Sequence, residues 1–219
     1  MFTPPRIDEE ELLDDHDAPR FDVERSLRDL RRFNRYLGGT TTYRRMLRRF
    51  APLHSIVDLG AGTADLLDSI DGNVFRIAVD FKIDHLIYLR ERSRALRVVA
   101  DAFRLPFRDH AVDVVTSSHF FHHFDAEENA TILREALRIA RRGVAMTDTR
   151  RHYAPLAFVQ LLAALRLVGR ITRSDAPGSI RRGYTLHEAR TIAAEIGAAT
   201  TSVVKYFPFR FAILLWKTA

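Results

Sequence analysis

The chain has 219 residues, 47% of them hydrophobic, which favours one globular domain with a sizeable core. It contains no cysteine, which excludes disulfide bonds and thiolate zinc sites. The formal net charge is +6, yet only three of the 34 basic residues are Lys. We interpret this arginine excess as composition and internal pairing, which argues against nucleic acid as the partner.

The N-terminal part predicts an acidic leader followed by two helices. Residues 1–20 are rich in Asp and Glu and predict a loose segment. Apolar residues at helical spacing predict a helix over 22–37, ended by Gly38 and Gly39. A second Arg-rich amphipathic helix follows, with Thr40 as its predicted cap.

Targeting and membrane signals are weak in this sequence. The N-terminus lacks the basic and apolar regions of a secretory signal. The longest apolar stretch, at 154–169, is shorter than the ~20 residues that a membrane span requires. We therefore expect a cytoplasmic protein with no membrane span; the sequence does not determine its oligomeric state.

From residue 54 onward, predicted strands and helices alternate. The predicted strands cover 54–59, 74–80, 96–101, 111–118, 142–149, 200–207 and 210–216. The predicted helices cover 63–70, 82–94, 125–141 and 185–196. Such alternation predicts an α/β, doubly wound Rossmann-like parallel sheet with helices on both faces. Only two residues separate the last two strands, which should form a hairpin, so one of them must run antiparallel to the sheet.

These elements divide the chain into two predicted parts. Residues 1–53 form the acidic leader and an N-terminal helical cap, and residues 54–219 form the α/β domain. A helical insertion at about 150–184 interrupts that domain.

The segment VDLGAGTAD places Gly60 and Gly62 between the first strand and a helix. A strand, two glycines and a helix start are typical of a nucleotide-binding turn, in which a ligand lies against bare backbone. Ala64 stands where a third glycine is often found, and we expect alanine to fit there with little strain. Taken alone, the two glycines also allow an ordinary tight turn.

Three predicted strands end at an aspartate, and together these acids predict a ligand-binding edge. Asp58, two residues before the first glycine, would repel a pyrophosphate and so favours a ligand that carries positive charge. Asp80, at the end of the second strand, is placed to accept hydrogen bonds from ribose hydroxyls. Asp101, at the end of the third, is placed to meet an adenine amino group. Each acid alone would also serve as a helix N-cap.

The motifs VDLGAGTAD, AVDFK, VVADAFRLPF and VVTSSHFFHHF, in this order, resemble the class I S-adenosylmethionine-dependent methyltransferases over about residues 55–217. The resemblance implies a seven-stranded sheet with its last strand antiparallel, and S-adenosyl-L-methionine as the cofactor. The cofactor-binding residues that it implies are Asp58, Gly60, Ala61, Gly62, Asp80, Phe81, Asp101, Ala102 and Ser117. In this assignment Asp80 holds the ribose, while Asp101 and Ala102 hold the adenine, with Phe81 packed on its ring.

Methyl transfer from a sulfonium needs alignment and exclusion of water, and a base only where the acceptor is protonated. His119 and His122, in SSHFFHHF, are the candidate catalytic bases, because a free imidazole titrates near neutral pH. Packing or cofactor contact is the alternative role for both. No carboxylate completes a ligand set with His119 and His123, so no metal site is predicted.

The acceptor is predicted from what covers the pocket. Residues 116–119 read TSSH and lack the Pro-Pro-aromatic stretch of enzymes that methylate exocyclic base nitrogens. Residues 150–167 are nearly apolar all round, which predicts a helix that is buried or lines an apolar cavity. Arg150, Arg151 and His152 follow the fifth strand and could hold an acidic or phenolic group of the acceptor, although we expect them to lie in solvent.

We therefore predict a methyltransferase that carries out O- or C-methylation of a small, fairly apolar acceptor, such as an aromatic or polyketide-like secondary metabolite. The alternatives are an RNA or protein methyltransferase that docks through the Arg-rich helices, a non-catalytic cofactor-binding module, and a dehydrogenase. Asp58 beside the glycines and the terminal hairpin both disfavour the dehydrogenase.

Overall fold

The structure is a computed structural model that describes residues 3–9, 11–14, 18–88 and 93–218. Its centre is one seven-stranded sheet in the order β3-β2-β1-β4-β5-β7-β6. The strands are β1 Ser55–Leu59, β2 Phe75–Asp80, β3 Leu96–Val99, β4 Val112–Ser118, β5 Ala140–Thr149, β6 Thr200–Tyr206 and β7 Arg210–Trp216. β1 to β5 pair in parallel, and β7 runs antiparallel to both β5 and β6. The predicted α/β sheet with its terminal antiparallel hairpin is confirmed.

Eight α-helices surround the sheet in the described part of the chain. They are α1 Arg20–Tyr36, α2 Gly39–Leu47, α3 Asp65–Asp68, α4 Ile83–Tyr88, α5 Ala126–Ile139, α6 Tyr153–Ala164, α7 Arg170–Arg182 and α8 Leu186–Ala194. Within this part of the chain, no helix is both long and apolar enough to cross a bilayer.

The core has one layer on each face of the sheet. Residues of α5 and α8 pack on one face, and residues of α2 and α3 on the other. β1 serves both layers, since Val57 and Leu59 belong to the first and Ile56 to the second. A strand buried on both faces reads as a continuous apolar run, which is why the sequence identified it.

Some boundaries differ from the prediction. α2 begins after Gly38, whose φ of 77° places it in the left-handed region, so Thr40 lies in the first helical turn and does not cap it. β3 ends at Val99, short of Asp101. Of the helix predicted over 82–94, residues 89–92 lie outside the described residues.

The described leader residues are packed, in contrast to the predicted loose segment. The carboxylate of Asp175 in α7 accepts the N–H groups of Leu12 at 3.1 Å and Leu13 at 2.9 Å. The Arg151 guanidinium donates to the Pro4 carbonyl at 3.0 Å and is buried, so its expected solvent exposure was wrong. Charges and backbone groups distant in sequence hold this segment, and local composition does not reveal them.

Candidate active site

A cavity of about 1070 Å³ lies beyond the carboxyl ends of β1 to β5. The strand order reverses between β1 and β4, which is where open α/β sheets bind ligands. One end of the cavity carries the glycine loop and the acids that follow β2 and β3. The other end is mainly apolar and is lined by Leu30, Phe33, Phe158, Val159, Ile180 and Phe209, together with Asp175 and Arg182 of α7. The leader, through Glu11 and Leu13, forms part of the wall.

The glycine loop has the conformation that its glycines permit. Gly60 has a φ of 62°, and a Cβ added there would lie 2.4 Å from the Phe120 ring. Gly62, with a φ of 49°, donates its N–H to Asp80 Oδ2 at 3.0 Å. Ala64 also lies in the left-handed region, with a φ of 46°, so the expectation of little strain was wrong. For a non-glycine residue this conformation costs about 1–2 kcal/mol.

Six of the nine predicted cofactor residues line the cavity, namely Gly60, Gly62, Asp80, Phe81, Asp101 and Ala102. Asp80 is buried and fixes the backbone around itself, because its Oδ1 accepts the Lys82 N–H at 2.9 Å. Phe81 is 69% exposed, which leaves its ring free to stack on a planar ligand. The other three predicted residues, Asp58, Ala61 and Ser117, are buried and are not among the lining residues.

Asp58 connects neighbouring strands and a helix beneath the glycine loop through hydrogen bonds. It accepts a hydrogen bond from the Thr116 hydroxyl at 2.7 Å, and that hydroxyl lies 2.7 Å from the Tyr43 hydroxyl. Burial raises the pKa of Asp58 to about 7. The Ser117 hydroxyl similarly donates to the Leu59 carbonyl at 2.9 Å. Asp58 therefore links β1 to β4 and, through Thr116, to α2.

The two candidate bases, His119 and His122, differ in protonation state at neutral pH. His119 has a φ of 55°, and burial lowers its pKa to about 3, so it is neutral at pH 7. His122 Nδ1 lies 2.8 Å from Asp148 Oδ2, and its Nε2 lies 3.4 Å from Glu11 Oε1. Burial alone would lower the pKa of His122, but Asp148 and Glu11 together raise it to about 10. His122 is therefore an imidazolium held between two carboxylates.

Glu11 anchors the leader inside the cavity. It pairs with the Arg182 guanidinium, accepts from the Ser179 hydroxyl and is 9% exposed. Burial raises its pKa, but His122 and Arg182 outweigh burial and hold the pKa well below the usual range. One ligand atom each from Glu11, His122 and His123 lies within 4.8 Å of the others. A cation there would meet the Arg182 guanidinium, so the chemistry of the site does not favour a metal.

Asp148, Glu11 and Arg182 were not predicted from the sequence. Asp148 lies one residue before the end of β5, and Asp80 is the last residue of β2, so a rule that selects acids at the carboxyl ends of strands would have found both. Glu11 and Arg182 carry no such signal, because 171 positions of sequence separate them.

Comparison with known proteins agrees with this geometry. A family model described as a methyltransferase domain matches residues 57–147. The demethylmenaquinone methyltransferase of Mycobacterium sp. (strain JLS) is 28% identical over 71% of this chain and 70% of that protein. The chain carries a methyltransferase domain, in a fold shared with known S-adenosylmethionine-dependent methyltransferases.

Other relatives of this methyltransferase match over different lengths. The demethylmenaquinone methyltransferase of Mycobacterium marinum is 34% identical, and the match spans about half of each protein, 49% of this chain and 47% of the relative. Among solved structures, a SAM-dependent methyltransferase from Aquifex aeolicus has a TM-score of 0.58 at 17% identity, covering 80% of this chain and 89% of the other. The plantazolicin methyltransferase BpumL, in complex with a monoazolic desmethylPZN analog and SAH, has a TM-score of 0.69 at 14% identity, covering 93% of this chain and 91% of the other. At these identities the structural likeness concerns the fold.

The cavity of this methyltransferase fits an adenosyl methyl donor. Carboxylates at Asp80 and Asp101 are acceptors for hydroxyl and amino groups. Gly62 leaves open space beside its backbone, since a Cβ added there would meet only the Gly60 carbonyl oxygen, at 3.9 Å. Phe81 offers an exposed aromatic face.

Proposed function

We propose that this methyltransferase transfers a methyl group from S-adenosylmethionine to a small, fairly apolar acceptor. One observation carries the proposal: a single cavity of about 1070 Å³ joins an acidic, glycine-lined end to an apolar end. Small-molecule pockets usually measure about 300–1,000 Å³, so this cavity has room for a cofactor and a modest acceptor together. The proposed catalytic unit is residues 54–219, with 1–53 and 150–184 covering the pocket.

In this proposal the cofactor lies along the carboxyl ends of β1, β2 and β3. Asp80 holds the ribose hydroxyls, Asp101 and Ala102 hold the adenine, and Phe81 packs on its ring. Asp58 contributes negative charge from beneath the loop. When bound, the cofactor supplies an activated methyl group, and the residues of this chain orient it and exclude water.

The apolar end accounts for the proposed acceptor. Phe33 of α1, Phe158 of α6 and Phe209 before β7 are suited to an aromatic or polyketide-like molecule undergoing O- or C-methylation. Demethylmenaquinone, for which the mycobacterial relatives are named, is therefore the first acceptor to assay.

The two histidines take different roles in this proposal. His119 lines the cavity, its buried Nε2 has no hydrogen-bond partner among the described residues, and its neutral ring can accept a hydrogen bond, so in this proposal it orients an acceptor hydroxyl. His122, as an imidazolium, has no lone pair with which to accept a proton. It acts as a positioning residue that holds the leader and β5 together through Glu11 and Asp148.

Titration calorimetry with S-adenosylmethionine and its demethylated product tests the cofactor site. We expect Asp80→Asn to weaken binding by about 10- to 100-fold, corresponding to about 1.4–2.8 kcal/mol. Asp109→Asn, at an exposed carboxylate remote from the cavity, is the control and should bind normally. Equal affinities in the two variants would contradict the cofactor placement.

Labelled-methyl transfer to phenolic, quinone and RNA pools tests the acceptor. We expect incorporation into the phenolic or quinone pool, with His119→Gln reducing kcat while cofactor affinity stays unchanged. Incorporation into RNA, falling steeply with salt, would favour the RNA methyltransferase instead. Cofactor binding without turnover on any pool would favour the non-catalytic module.

A further inference from the structure

Helix α6 and the turn after it present an exposed apolar surface. Its large side chains are Tyr153, Leu161, Leu165 and Leu167, which are 43%, 55%, 59% and 60% exposed. We call these four residues the α6 surface. Grouped exposure of this kind marks an interaction site more often than scattered single residues do.

Only one side of α6 is packed against the protein. Leu156 and Val159 are buried and form a small cluster with Ile180 of α7. The sequence predicted a helix that is buried or lines a cavity, and this side fits that expectation. The α6 surface does not, because its leucines point away from the cluster and none of the described elements covers them.

The segment that carries the α6 surface contains only basic charges. Residues 150–174 contain five Arg and no Asp or Glu. Arg166 and Arg170 are exposed and flank the leucines of the turn. Asp29 accepts the Gly169 N–H at 2.7 Å and so holds the N-terminal half of α1, which carries both arginines and acids, beside the turn.

The same part of α1 adds both apolar and basic groups. Phe21 is 68% exposed, and the neighbouring Asp22 lies 3.9 Å from Arg170. Arg25 and Arg28, one and two turns along, are exposed. Leucine and phenylalanine side chains bordered by arginines are the composition of helices that lie in the plane of a membrane interface.

We propose that the α6 surface docks this protein onto the surface of a bilayer that contains anionic lipids. The leucines enter the boundary between headgroups and acyl chains, and the surrounding arginines pair with lipid phosphates. The absence of any acid from 150–174 favours a negatively charged partner. The proposal rests on this surface alone and is independent of the methyl acceptor.

Co-sedimentation of the full chain with lipid vesicles tests the docking. We expect binding to phosphatidylcholine vesicles that contain about one-third phosphatidylglycerol, weaker binding to phosphatidylcholine alone, and weakening by salt. Leu161→Glu should reduce the partition coefficient by about 10-fold or more. Leu96→Glu is the matched control, since Leu96 is 52% exposed at the amino end of the edge strand β3, remote from α6.

Several outcomes would overturn the proposal. The proposal is wrong if the protein does not bind anionic vesicles, or if Leu161→Glu and Leu96→Glu lose binding equally. Sedimentation velocity without lipid supplies another: self-association that Leu161→Glu abolishes would show that a second copy covers the surface. Vesicle binding that RNA displaces and Leu161→Glu leaves intact would assign the arginines to nucleic acid. Circular dichroism of both variants confirms that each remains folded.

Discussion

Replacing Asp148 with Asn removes one of the two carboxylates that hold the buried His122 imidazolium. Asp148 is 1% exposed and accepts from the His122 backbone N–H at 3.1 Å and from its ring at 2.8 Å. His122 is 3% exposed, so water cannot replace the lost charge. Among the described residues, Glu11 would remain as the carboxylate beside the ring.

The size of the effect follows from this burial. Breaking a buried ion pair by removing one partner costs about 3–5 kcal/mol, because the remaining charge stays desolvated. Arg210 adds to the cost, since it is also buried and Asp148 is the carboxylate that favours its charged form. We therefore expect Asp148→Asn to lower the free energy of unfolding by about 3–5 kcal/mol at neutral pH.

The pH dependence has a definite sign. The pKa of His122 is raised from 6.5 to about 10 in the folded state, so its stabilising contribution is complete below pH 6.5 and is lost as the pH rises toward 10. Burial raises the pKa of Asp148, but His122 outweighs burial and lowers it to about 2, so its contribution is lost only as the pH falls from 3.8 toward 2. Wild-type stability should therefore fall between pH 6.5 and pH 10, and Asp148→Asn should flatten that fall.

Urea unfolding across this pH range measures both effects, and NMR titration reports the His122 ring directly. Asp109→Asn is the matched control, because Asp109 forms an exposed pair with Arg138 at 2.7 Å and should contribute little. The reasoning fails if Asp148→Asn unfolds like Asp109→Asn, or if His122 titrates near its ordinary pKa of 6.5 in the folded protein.

Three further variants probe the cofactor end of the cavity. Gly60→Ala should destabilise the protein and abolish cofactor binding in calorimetry. The φ of Gly60 is 62°, and the new Cβ would meet the Phe120 ring. Normal binding would contradict the loop geometry. Phe81→Ala should weaken cofactor binding by about 3- to 10-fold and leave Tm unchanged, because its ring is 69% exposed; unchanged affinity would remove it from the adenine site. Without cofactor, Asp58→Asn should raise the free energy of unfolding above pH 7, as measured by urea unfolding. The reason is that burial raises the pKa of Asp58 to about 7, so its ionised form destabilises the fold. A lower free energy of unfolding above pH 7 would show that the hydrogen bonds of Asp58 contribute more than its charge costs.

The strands were predictable because their signal is local. β1 and β4 are buried on both faces of the sheet and therefore read as short apolar runs. The terminal hairpin was equally readable, since two residues between β-rich segments leave no room for a crossover. The ligand-binding edge could then be predicted from the strands, because the carboxyl ends of parallel strands lie at one side of the sheet.

The sequence by itself thus determined the sheet, its hairpin and the position of the glycine loop with Asp80 and Asp101. Only the tertiary structure brought Glu11 to His122, and it distinguished two histidines of one motif, with a pKa of about 3 for His119 and about 10 for His122. The physical reason is that protonation depends on which charges share a desolvated space. Those charges come from Glu11, Asp148 and Arg182, which no local pattern connects.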